Sequence, residues 1–143
     1  MILAVIRVRG RRKIRPNIEK TLEYLCLNRP NHCVLVDDSD QNKGMLDVVK
    51  NYVTYGNVDE ETIYLLLNKR GKKDGKKLSA NLKEEDLRKI AKELFSGKKT
   101  KDYANQVFRL SPPSKGYKDI KRSYPDGDLG KRDSMSLLIK RMA

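Results

Sequence analysis

The sequence predicts an α+β protein in which helices pack on one sheet, in the order β-α-β-α-β, followed by a mostly helical extension. Three observations carry this expectation. Short apolar runs at Ile2 to Val8, Cys33 to Val36 and Val53 to Tyr55 have strand length and strand composition. Between and after them, apolar residues recur at helical spacing. Turn-forming residues and charged clusters separate the two kinds of segment.

In the first strand, alternation predicts Ala4, Ile6 and Val8 facing a core while Arg7 and Arg9 face outward. A basic stretch follows, from Arg9 to Arg15, and no acid occurs before Asn17. Pro16 suits the first turn of a helix, and Ile18, Leu22, Leu25 and Cys26 form its apolar stripe. Asn28-Arg29-Pro30-Asn31 ends that helix, because the residue before a proline leaves the helical region. After the strand Cys33 to Val36, the acids Asp37, Asp38 and Asp40 mark a turn, with Ser39 and Asp40 capping the next helix. Its stripe is Met45, Val48, Val49 and Tyr52; Gly44 serves the helix start and Met45 the core. Gly56-Asn57 reads as a turn.

The extension begins with Asp59-Glu60-Glu61, which caps and charges a helix N-terminus ahead of Ile63, Leu66 and Leu67. Lys69 to Lys77 reads as a basic, glycine-punctuated loop. Asn81-Leu82-Lys83-Glu84 has a capping-box pattern before the stripe Leu87, Ile90, Ala91, Leu94 and Phe95, with Gly97 as the stop. Val107 to Leu110 alternates like a strand, which leaves open whether it joins the main sheet. A long loop then reaches Asp133, and Met135, Leu138, Ile139 and Met142 define a closing helix. Composition changes near Val58, so we divide the chain into a core, 1–58, and an extension, 59–143.

A formal net charge of +13 with clustered Lys and Arg points to a polyanion, nucleic acid ahead of an anionic membrane surface. No stretch of about 18 apolar residues offers a membrane span, and Met1 leads straight into a strand pattern with no signal peptide. Two cysteines, Cys26 and Cys33, with one histidine, His32, do not make a four-ligand zinc set; both cysteines are expected in the core. Gly71-Lys72-Lys73-Asp74-Gly75-Lys76-Lys77 lacks the spacing and the hydroxyl residue of a nucleotide-binding loop. The three aspartates lack the order and the distant glutamate of a calcium loop. A Cys33 or Cys26 nucleophile with His32 is conceivable on paper, but strand neighbours point to opposite faces, which argues against a His32–Cys33 pair, and the chain assembles no nucleophile, base and oxyanion set. We therefore expect no enzyme, no metal and no cofactor. Tyr55, Tyr103, Tyr117 and Tyr124 are the aromatic residues beside loops that could stack on bases.

The chain resembles the universal large-subunit ribosomal protein family numbered thirty in bacteria and archaea and seven in its eukaryotic cytosolic form. The resemblance lies in Leu3 to Gly10, Thr21 to Leu25, Asn31 to Val36, Lys43-Gly44-Met45-Leu46 and Tyr52 to Gly56. It continues in Phe108 to Gly116, Gly127 to Arg132 and Leu138 to Met142. The bacterial form is similar only to the first part, to about Val58, whereas the Pro112-Pro113 segment belongs to a long form. Eukaryotic relatives usually carry a long basic arm before the first strand, so the archaeal long form is the closer resemblance. It implies a ferredoxin-like β-α-β-α-β core with a three-stranded antiparallel sheet. It also implies a non-catalytic structural role in the large (50S) subunit, in cytoplasmic ribosomes, bound to 23S ribosomal RNA and beside neighbouring ribosomal proteins, and leaves a direct 5S RNA contact open. The expected RNA-binding residues are Arg9, Arg11, Arg12, Lys13 and Arg15 in the first loop, then Lys43. Lys69, Arg70, Lys72 and Lys73 follow, then Lys115, Lys118, Lys121 and Arg122, and last Lys131 and Arg132. The alternative is a ferredoxin-like small-molecule-sensing or protein-interaction module, with its charge serving solubility.

Overall fold

A computed structural model describes residues 2–10, 12–73, 76–96, 107–114, 116, 117, 122, 124, 126, 127 and 129–143. Three strands form the centre: β1 (Ile2–Arg7), β2 (His32–Asp37) and β3 (Val53–Asn57). β1 lies between the other two and is antiparallel to both, with Ile6 opposite Cys33 on one side and Thr54 on the other. This is the expected ferredoxin-like arrangement. Helices α1 (Pro16–Tyr24) and α2 (Asp40–Val49) cover one face, where Leu22, Leu46 and Val49 pack with Leu3, Val5, Val34 and Val53.

The extension covers the other face. α3 (Glu60–Arg70), a two-stranded ribbon of β4 (Lys72–Lys73) and β5 (Lys76–Lys77), α4 (Leu78–Asn81) and α5 (Glu84–Phe95) come first. β6 (Phe108–Arg109), β7 (Gly130–Ser134) and α6 (Ser136–Met142) complete it. Ile63, Leu66, Leu67, Leu87, Ala91, Leu94, Leu138, Ile139 and Met142 pack against Ile2, Ala4 and Ile6 in a second core. β1 is consequently buried on both faces along its whole length. That overturns the expectation of an outward Arg7, which is 3% exposed.

The extension also contributes strands. β6 pairs antiparallel with β2, placing Phe108 opposite Cys33, so the middle of the 107–110 segment, Phe108 and Arg109, joins the main sheet. β7 pairs parallel with β3, where a loop was expected. The five-stranded order is β6-β2-β1-β3-β7. Gly56 lies inside β3, not in a turn: it sits opposite Arg132, and a Cβ there would come within 2.6 Å of the Arg132 carbonyl oxygen. Only glycine lets the two backbones approach so closely.

Helix ends explain other differences. α1 stops at Tyr24, before the expected Asn28 to Asn31 signal, in a left-handed C-terminal motif. Cys26 takes φ +62, its amide donates to the Glu23 carbonyl at 2.9 Å, and the Leu27 amide donates to the Leu22 carbonyl at 2.9 Å. Cys26 is thus half-buried beyond the helix, whereas Cys33 is fully buried and burial pushes its thiol up to about 12. Ser39 caps α2, accepting from the Asn42 amide at 3.3 Å. The helix therefore starts at Asp40 and Gly44 falls within it. Its buried stripe is Leu46 and Val49, and Val48 is exposed. Asp59 caps α3, accepting from the Thr62 hydroxyl and, at 2.9 Å, the Thr62 amide; these bonds hold its carboxyl below the usual range. Lys69 and Arg70 complete the last turn of α3, where cations meet the negative end of the helix dipole. The expected capping box does not form. Leu78 is buried and draws residues 78–81 into α4, so Lys83 becomes the N-cap of α5, with no side-chain bond. Phe95, assigned to the α5 stripe, is exposed, and Gly97 lies outside the described residues.

Candidate nucleic-acid interface

The C-terminal end of β1 gathers most of the described cationic groups named above. Arg7 begins the site from inside. Its Nη1 donates to the Leu27 carbonyl at 2.7 Å, its Nε to the Arg9 carbonyl at 3.1 Å and its Nη2 to the Gly10 carbonyl at 3.2 Å. One planar guanidinium thus fixes the exit of α1 and the first residues of the basic loop. Arg9 is held further: its amide donates to the Tyr52 carbonyl at 3.2 Å, and its guanidinium lies 5.1 Å from the Tyr52 ring centroid. Arg12, Lys13 and Arg15 are exposed, with Lys13 in a left-handed conformation at φ +56 that turns the chain toward Pro16. Arg11 lies outside the described residues.

The neighbouring strands add charge at the same end. The β2–β6 register sets Arg109 opposite His32. His32 sits below its ordinary pKa of 6.5, first because burial disfavours the cation and then because Arg109, Arg29 and Arg7 repel it. On the other side, Thr54 Oγ1 donates to the Gly130 carbonyl at 3.2 Å and accepts from Arg132 Nε at 2.8 Å. The Arg132 guanidinium lies 5.2 Å from the Tyr124 ring centroid. Tyr124 and Arg122 flank the start of β7 through backbone bonds with Leu129, and Lys131 is exposed beside them.

Other expected residues lie elsewhere. Lys43 follows the far end of β2, where Asp37 pairs with Ile2, and is 3.3 Å from Asp38 in an ion pair. Arg70 donates to the Ser111 hydroxyl, which ties the end of α3 to the segment after β6. Lys72 and Lys73 belong to the ribbon. Lys115, Lys118 and Lys121 lie outside the described residues. Of the stacking candidates, Tyr55 is half-buried against the first core, and Tyr117 packs on the second core while donating to Asn31 Oδ1 at 2.7 Å. Tyr124 is exposed, and Tyr103 lies outside the described residues.

Sequence reasoning missed Arg29 and Arg109, whose convergence on His32 depends on the chain turn before β2 and on the β2–β6 register. Among the described residues, no group of three His, Cys, Asp or Glu is placed to hold a metal, and no helix is long and apolar enough to cross a membrane.

Protonation of His32 couples to stability. Its folded-state pKa lies below the unfolded value, so between the two the unfolded chain holds more proton. Stability should therefore fall as the pH drops below about 6.5, and a His32→Gln protein should lose less over the same interval. Urea midpoints for both proteins above and below that pH check this; parallel losses would remove His32 as the cause.

The fold and this cationic sheet end define a class: a basic, ferredoxin-like α+β protein whose extension backs the sheet. A family profile for ribosomal protein L30p/L7e matches residues 3–53. A protein named large ribosomal subunit protein uL30 from Methanothrix thermoacetophila is 38% identical, with 97% of this chain and 98% of the relative covered. Relatives of the same name from Archaeoglobus fulgidus and Thermoplasma volcanium are each 43% identical. These alignments cover 90% and 99% of this chain, and 91% and 92% of the relatives. The chain belongs to the ribosomal protein L30p/L7e family, and these relatives are ribosomal proteins, not enzymes.

Proposed function

We propose that this protein is a structural constituent of the archaeal large (50S) ribosomal subunit that binds 23S ribosomal RNA through the cationic end of its sheet. The observation that carries the reading is the convergence there of Arg9, Arg12, Lys13 and Arg15 with Arg29, Arg109 and Arg132. Family membership names the polyanion. In this reading residues 1–58 form the RNA-binding core and residues 59–143 back it. Lys115, Lys118, Lys121 and Arg122 also bind the RNA, and Lys43, Lys69 and Arg70 meet RNA away from the sheet end. The protein works in cytoplasmic ribosomes, beside neighbouring large-subunit proteins, and supports assembly and translation. Cross-linking in the assembled subunit, read by nucleotide, would find or exclude a direct 5S RNA contact.

Replacing Arg9, Arg11, Arg12 and Lys13 together by alanine should weaken binding to large-subunit RNA while leaving the melting temperature nearly unchanged. The slope of log affinity against log salt should shrink by roughly 0.7–0.9 for each phosphate that the loop no longer neutralises. Parent-like affinity in the quadruple variant would refute the loop assignment. A sensing or interaction module, the alternative reading, would leave the free protein out of the ribosomal fraction on co-sedimentation.

A further inference from the structure

β4 and β5 present four lysines on a ribbon two residues wide on each side. Lys72 stands opposite Lys77, and Lys73 opposite Lys76. Residues directly opposite share a face, and neighbours along a strand take opposite faces. One lysine pair therefore occupies each face, and all four side chains are exposed. Like charges placed directly across a ladder repel. Nor is so short a ribbon stable by itself.

Its base supplies the stability. The Gly71 amide donates to the Leu67 carbonyl at 3.2 Å, and the Leu78 amide donates to the Gly71 carbonyl at 3.0 Å. Leu78 is buried against the second core. Gly71 is required for this closure, since a Cβ would come within 2.5 Å of the Leu67 carbonyl oxygen. The fold thus clamps the foot of a ribbon that carries repelling ammonium groups on both faces. A solvated basic loop needs no such pairing.

One cationic face suits one line of phosphates. Two cationic faces suit a cleft with phosphates on both walls, as folded RNA provides where two backbones run side by side. We propose that the β4–β5 ribbon inserts between two RNA backbones, with Lys72 and Lys77 on one wall and Lys73 and Lys76 on the other. This anchor is separate from the sheet-end loop and rests on the ribosomal-RNA reading above. Its contacts are to phosphates, because side chains do not read base edges in the deep groove of A-form RNA. It therefore adds affinity and position without sequence preference.

Three full-length variants test it against protein-free archaeal large-subunit ribosomal RNA over a salt series: Lys72→Gln with Lys77→Gln, Lys73→Gln with Lys76→Gln, and all four together. Each double variant should lower the slope of log affinity against log salt by about 1.5 units, and the quadruple variant by about 3. Removing the repulsion should leave melting temperatures at or above the parent's, so weaker binding would not reflect unfolding. If one pair lowers the slope and the other does not, the ribbon lies flat on one backbone and insertion is wrong. If neither pair matters while the Arg9 to Lys13 variant still weakens binding, the ribbon is a solvated hairpin and only this inference falls. A parent protein without salt-dependent binding would overturn the ribosomal-RNA reading itself.

Discussion

Replacing Arg7 by leucine should cost the fold about 3–5 kcal/mol, because a buried, multiply bonded charge is being removed from its acceptors. The carbonyls of Leu27, Arg9 and Gly10 would all lose a charged donor. The Leu27 bond is buried, so water cannot replace it without opening the end of α1; the other two are partly buried and recover some hydration. Arg7→Lys should fall between parent and leucine variant. It keeps the charge, but a point-like ammonium cannot span three acceptors as a planar fork does. Urea denaturation should show a lower midpoint with the slope unchanged. A leucine variant within about 1 kcal/mol of the parent would mean that the loop does not depend on Arg7.

Arg7 also shows where sequence reasoning stops. Alternation assigns an outward face correctly when one side of a strand meets water. Here α1 and α2 cover the face of Leu3 and Val5 while the extension covers the face of Ala4 and Ile6, so all four are buried, and an arginine at the end of the same strand must be satisfied internally. The three central strands and the caps at Ser39 and Asp59 were legible, because each depends on local pattern. β7 was not. Gly130-Lys131-Arg132-Asp133-Ser134 has no apolar side chain to announce a strand, and it forms because Gly56 admits a neighbouring backbone and Thr54 binds both Gly130 and Arg132. The candidate site divides in the same way. The Arg9 to Arg15 loop is visible as a run of charge, whereas Arg29, Arg109 and Arg132 reach the same end only through chain turns and strand register.

Phe108→Ala should destabilise the protein by about 3–5 kcal/mol, the usual range for emptying a large aromatic site in a core. Phe108 is fully buried, opposite Cys33, in the core formed by the extension and the second face of the sheet. β6 contributes only two residues to the sheet, so its position rests more on this side chain than on backbone pairing. Leu110 and Ser111 follow directly, and their amides donate to the Asn31 and Met142 carbonyls, each at 3.1 Å. Undocking Phe108 should therefore expose those two amides to hydrogen exchange. It should also carry Arg109 away from His32, whose pKa should then rise toward its ordinary value as one repelling cation departs. Phe108→Leu preserves most of the apolar volume and should cost less than half as much while leaving the His32 titration near the parent's. Unchanged His32 titration and protected Leu110 and Ser111 amides in the alanine variant would show that β6 holds its place without Phe108, and that the extension reaches the cationic end of the sheet by other contacts.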